Sequence, residues 1–238
     1  MTARHRLEGA VAAGALFLAA SCGGGGVAER ESEQTSVAAP KSRAQAIAVG
    51  LSDLPQGFRL CPYSGEMATF LGNIRSLNPE TFASSSETWE ALEKAGATGG
   101  YAGYYGDNQS ACDNLIKPAG ERDFGDEEEH IRHHPKMVFN FVVEFPDQAA
   151  AATAYRADLF GQSGLRDDAF DVVEGDPTGF GPNAITSTSE GSPIQIRQAV
   201  WQQERFNIFF GSTALDLRES DLVTKAINRR AASTAGPG

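Results

Sequence analysis

A chain of 238 residues with 41% hydrophobic content and 14 Phe has room for one domain of ordinary size plus appendages, and enough apolar material for a sizeable core, which excludes wholesale disorder. Its formal net charge of −11 argues against nucleic acid, where affinity rests on Lys and Arg neutralising phosphates, and against adsorption to anionic lipid through a basic patch. A cationic partner or metal ions stay permissible, although an acidic surface is ordinarily just a soluble one.

The first segment reads as an address. Arg4, His5 and Arg6 give a positive start, Val11 to Ala20 a short apolar run, and Ala19, Ala20 and Ser21 a set of small residues before Cys22. The run is shorter than the roughly 20 residues that span a bilayer, so residues 1–21 read as a cleaved signal peptide. Leu18-Ala19-Ala20-Ser21-Cys22 resembles a bacterial lipobox, although its leucine stands four residues before the cysteine and not three. The resemblance implies cleavage before Cys22 and a lipid anchor on it. Residues 22–44 then form the lipidated cysteine and a flexible linker, with Gly23 to Gly26 as tether and no apolar period up to Lys41. With Cys22 acylated, Cys61 and Cys112 remain, an even pair in an exported protein, for which a disulfide is the default.

A single domain is expected over residues 45–230. Gln45 to Leu51 reads as a short helix, Phe58 to Pro62 as a strand after the Pro55–Gly57 turn, and Met67 to Ile74 as a helix. Ser84 followed by Glu87 has the spacing of a capping box, so the next helix is expected to start there, to turn Trp89 and Leu92 inward and to end at Gly96. Thr98 to Gly106 reads as a strand with Tyr101, Gly103 and Tyr105 on one side and Ala102 and Tyr104 on the other.

The strongest pattern is Met137 to Phe145. Met137, Phe139, Phe141, Val143 and Phe145 share one strand face, while Val138, Asn140, Val142 and Glu144 make a mixed face expected to be partly wet. Asp147 is placed to cap a following helix whose Ala151, Tyr155 and Leu159 form an apolar stripe. Phe170 to Val173, Ala184 to Ser189, Ile194 to Gln202 and Phe206 to Phe210 read as four further strands, the last pair joined by the polar turn Gln203-Glu204-Arg205. A final helix starts near Ser220 with Leu222, Val223, Ala226 and Ile227 as its apolar residues, and 231–238 reads as a disordered tail. Strands in sequence-adjacent groups with a few helices predict an α+β fold: an antiparallel sheet of about five to seven strands with helices packed on one face.

Asp53-Leu54-Pro55-x-Gly57-Phe58, Val143-Glu144-Phe145 before an alanine-rich helix, the Gly179-Phe180-Gly181 turn and Val200-Trp201 resemble uncharacterised secreted lipoproteins of actinobacterial type, some of them similar to PsbP-like α+β domains. The resemblance spans most of residues 50 to 230 through short motifs. It implies a fold and an export route and transfers no catalytic residue.

One constellation has metal-ligand spacing. His130, His133 and His134 would share one face if helical, but Pro135 bars a continuing helix and no His-Glu-x-x-His arrangement supplies a general base. A solvated acidic–histidine loop competes with the metal reading. No nucleophile elbow, phosphate loop or dinucleotide glycine pattern is present, and no cofactor is implied. Tyr101, Tyr104 and Tyr105 could line a ligand cleft together with Trp201, or equally cover a sheet face with their hydroxyls at its rim; a packed environment for all four would exclude the ligand surface. The expectation is therefore a lipoprotein held on the outer side of the cell membrane by its lipid anchor, with a non-enzymatic domain that binds a small ligand or an envelope protein. The alternative is a metal-binding protein or metal-dependent hydrolase using the 130–134 histidines.

Overall fold

The computed structural model describes residues 42–115, 135–166, 170–189 and 195–234. Residues 1–41, where the sequence reading places a signal peptide, Cys22 and most of the linker, lie outside these residues, as do the three clustered histidines; the linker expected up to residue 44 is overtaken by a helix, because Ser42 caps Arg43–Ile47.

Eight strands form one antiparallel sheet. In chain order the elements are α1 (Arg43–Ile47), β1 (Arg59–Leu60), β2 (Gly65–Glu66), α2 (Met67–Ile74), α3 (Pro79–Lys94), β3 (Gly99–Gly106), α4 (Gln109–Leu115), β4 (Met137–Glu144), α5 (Gln148–Arg156), β5 (Phe170–Glu174), β6 (Ile185–Ser189), β7 (Ile196–Gln203), β8 (Phe206–Thr213) and α6 (Leu217–Thr234). Across the sheet the order is β1-β3-β4-β8-β7-β6-β5, with β2 also paired to β3. The α+β class and the antiparallel sheet agree with the sequence reading.

The strand Met137–Glu144 is central, flanked by β3 and β8 in full register from Gly106↔Met137 to Glu144↔Phe206. Its odd-numbered face carries Phe139, Phe141 and Val143 into a core closed by Met67, Phe70 and Ile74 of α2, Leu92 of α3, and Ala151, Ala154 and Tyr155 of α5. Asp147 caps α5 as expected, its carboxylate accepting from the Ala150 amide at 2.8 Å. That helix stops at Arg156, and Asp158 adopts a left-handed φ of 57°, so Leu159 packs from the loop beyond it.

The other face departs from expectation. Val138 and Val142 are fully buried and Asn140 is 1% exposed, so the face is not partly wet. A second core lies there, in which Ala44 and Ile47 of α1 and Val223, Ile227 and Ala231 of α6 pack on Tyr101, Tyr105, Val138, Val142, Ile208 and Phe210. Helices therefore cover both faces rather than one. The physical reason is that two helices from opposite ends of the chain converge on this side. Asn140 is polar because its Oδ1 accepts the Val49 amide at 3.3 Å and so ties down the segment after α1. Arg230 completes the attachment. Its guanidinium donates to Ile47 O at 3.0 Å and Ala48 O at 2.7 Å, and grips both Asp53 carboxylate oxygens at 3.0 and 2.8 Å.

The first helix is Arg43–Ile47 where the sequence reading has Gln45 to Leu51, and the bounds of α3 and α6 differ too. Helix α3 begins at Pro79, because Asn78 accepts from the Thr81 amide at 3.0 Å and Pro79 suits the first turn. Ser84 lies inside it and bonds back to the Glu80 carbonyl at 3.3 Å, so it is no cap. Helix α6 continues through Thr234 with Ala231 buried, where the sequence reading begins a loose tail.

Candidate functional site

Cys61 and Cys112 form the expected disulfide, with Cα atoms 5.4 Å apart. It joins the loop after β1 to α4 and lies in the core with both cysteines 1% exposed. Tyr63 donates to the Cys112 carbonyl at 3.1 Å beside it. The bridge is a staple in a packed environment, not a redox pair open to solvent.

The proposed aromatic surface is not a surface. Tyr101, Tyr104, Tyr105 and Trp201 are all 6% exposed or less. The alternation of β3 sends Tyr104 to one core and Tyr101 and Tyr105 to the other. Tyr104 stacks on Phe70 at 5.4 Å and is tilted against Tyr63 at 5.3 Å. The Tyr105 hydroxyl donates to the Val49 carbonyl. Trp201 stacks on Phe180 at 5.0 Å and donates from Nε1 to Asn228 Oδ1 of α6 at 3.0 Å. These four residues bind the protein to itself. Gly103 leaves the space they need, since a Cβ there would come within 2.7 Å of Asn140 Oδ1 and 3.1 Å of both Tyr101 and Tyr105 rings.

Burial holds the phenols neutral. All five tyrosines, Tyr63, Tyr101, Tyr104, Tyr105 and Tyr155, are pushed above the ordinary phenol range, desolvation being the main cause in each. Their folded-state values lie above the unfolded value near 10, so the stability they contribute is fully present below about pH 10 and lost as pH rises beyond it. Each such phenol removes up to about 1.4 kcal/mol per pH unit in that window. Alkaline titration is expected to show phenolate absorbance appearing together with cooperative unfolding; five tyrosines ionising reversibly near pH 10 in the folded protein would contradict their placement.

Among the described residues no three His, Cys, Asp or Glu side chains converge to hold a metal ion, and no helix is long and apolar enough to cross a membrane. The metal reading for His130, His133 and His134 therefore rests on the sequence alone. Several charged groups are committed to internal partners: Arg230 to Asp53, Arg197 to Asp221 at 2.6 Å, and Glu144 to Arg43 at 3.3 Å and Arg205 at 3.6 Å.

The outer face of α6 differs from these. Leu222, read above as one of the apolar residues of this helix, is 60% exposed, the highest value among the exposed large hydrophobic residues of the described chain. Arg218, Lys225 and Arg229 are exposed with it. Positions i, i+4, i+7 and i+11 fall within about 60° of arc on an α-helix, so the four make one line. None of the three cations is ion-paired with a described residue. The spacing was legible in the sequence, but the apolar pair Leu222-Val223 offered two phases for the helix, and only packing against the sheet selects Val223 as the inward one.

No protein-family model matches the chain, and no curated protein does. Among solved structures, the extracellular domain of PknH from Mycobacterium tuberculosis is similar over 61% of this chain and 68% of that one, at 13% identity and a TM-score of 0.35. A likeness of that strength carries no argument about fold or activity. The PsbP-like resemblance has no counterpart in these matches.

Proposed function

We propose that the chain is an envelope lipoprotein, anchored through Cys22, whose α+β domain binds a ligand or another envelope protein without catalysing a reaction. The observation that carries this reading is the Cys61–Cys112 disulfide, because such bridges persist in oxidising compartments outside the cytosol. The export-type segment before Cys22 supports it, as does the resemblance of residues 50 to 230 to secreted lipoproteins of actinobacterial type. The binding surface has to be sought outside the two cores, since Tyr101, Tyr104, Tyr105 and Trp201 are internal.

Mass spectrometry of the protein recovered from its native envelope is the test. The expected product begins at Cys22 and carries the mass of an acylated glyceryl group, and the Cys22→Ser variant leaves the membrane fraction. An unmodified Cys22, or retention of residues 1–21, overturns the anchor.

A further inference from the structure

We propose that the exposed line Arg218, Leu222, Lys225 and Arg229 of α6 is a docking surface for an anionic phospholipid bilayer. It is a compact line. Arg218 to Arg229 spans about 16 Å along the helix, and the three cations bracket a 60%-exposed leucine that can enter the headgroup region. Two acidic side chains of the same helix are engaged elsewhere, although Asp221 flanks the line three residues from Arg218 and four from Lys225. Asp221 is held by Arg197 at 2.6 Å. Glu219 is turned about 100° from Arg218 and accepts the Asp216 amide at 3.3 Å.

A net charge of −11 predicts repulsion from an anionic surface for the molecule taken as a point. The molecule is not a point at short range. At about 0.1 M salt the screening length is about 10 Å, comparable to the separation of one packed layer from the next. With α6 toward the surface its cations then meet the headgroups, while charges more than a screening length away are weakened.

The chain's own layout favours a bilayer over an acidic protein as the occupant. The described domain begins at Ser42, the N-cap of α1, and α1 is fastened to α6 by Arg230. Residues 23–41 separate Cys22 from that point, a span on the order of 25 Å if flexible. In the lipid-anchor reading, on which the biological setting of this proposal rests, the tether leaves from the helix layer that carries the cations. Tethering of that kind raises the local concentration of the surface to about the millimolar range, so weak contacts suffice to orient the domain.

The test does not use the anchor, so it can fail independently of it. The mature chain from residue 22 carrying Cys22→Ser is mixed with vesicles of phosphatidylglycerol and phosphatidylcholine, or of phosphatidylcholine alone, at about 0.1 M salt. Each basic residue at an anionic surface is worth about fivefold in partitioning, so three give up to about a hundredfold before repulsion from the remaining acids. At least about a tenfold preference for the anionic vesicles is expected. The exposed-site variant Arg218→Gln/Lys225→Gln/Arg229→Gln should abolish it, with an unchanged circular dichroism melt, and Glu87→Gln on α3 should leave it intact. Equal partitioning to both vesicles overturns the proposal. So does a preference that survives the triple substitution, or a dependence on these three residues seen only with an acidic protein.

Discussion

Replacing Cys61 and Cys112 together by alanine lowers the stability of the domain by about 4 kcal/mol, because the bridge closes a loop whose ends are 51 positions apart and the unfolded chain regains that freedom. The loop contains β2, α2, α3 and β3, and so most of one side of the first core. Cys61 is also held by its backbone, its amide donating to the Tyr104 carbonyl at 2.8 Å, so the native geometry around it survives loss of the sulfur. The effect should therefore appear in the unfolded state. Urea denaturation of the variant is expected to show a lower midpoint and a steeper dependence on denaturant, since its unfolded chain exposes more surface than the cross-linked one. A loss below about 1 kcal/mol would show that the bridge does not constrain the unfolded chain.

A single methyl group on the central strands should cost nearly as much. Gly211 of β8 lies opposite Phe139 of β4, and a Cβ added there would sit 2.1 Å from Phe139 Cζ and 2.5 and 2.7 Å from the two Cε atoms. The ring has little room to retreat. It is 2% exposed and stacked between Tyr104, at 6.1 Å, and Phe209, at 5.6 Å. Gly211→Ala is expected to destabilise by about 3 kcal/mol, the upper part of the usual range for overpacking. Phe139→Leu in the same chain should recover part of that loss, because the shorter side chain vacates the space. Thermal or chemical denaturation of the four proteins of the cycle measures the coupling, expected to exceed about 1 kcal/mol. Strict additivity would show that the two positions do not meet.

Both variants probe contacts that the sequence signals only in part. Phe139 was legible as a core residue from its alternation with Phe141 and Val143, yet nothing in that pattern marks Gly211 as the floor it rests on. Cross-strand packing depends on register, and the register that sets Phe139 opposite Gly211 joins segments some 70 residues apart. The same limit explains the tyrosines of β3. Their alternation was visible, and it assigned Tyr104 to one side and Tyr101 and Tyr105 to the other, as found. Whether those sides were open or covered was not a local property.

The α3 start illustrates competition between two valid local signals. Ser84 and Glu87 have the spacing of a capping box, but Asn78-Pro79 offers a side-chain cap and a pre-set first turn five residues upstream. The longer helix wins because it carries Phe82 as well as Trp89 and Leu92 against the core. In α6 the conflict was one of phase, resolved against Leu222 and in favour of Val223 and Ile227.

By itself the sequence determined the alternation of the long strands β3, β4 and β8, the cap of α5, the pairing of Cys61 with Cys112 and the antiparallel α+β class, all of which follow from neighbouring residues or from simple counting. The tertiary structure decided that both faces of the sheet are covered. Arg230 reaches Ile47 across 183 positions to fasten α1 to α6, and that contact turns the expected wet face into a second core. Burial is a property of what arrives from elsewhere in the chain. A strand's own pattern states which residues face the same way; only the elements that pack against them determine which become interior and which, like Leu222 and its flanking cations, are left facing out.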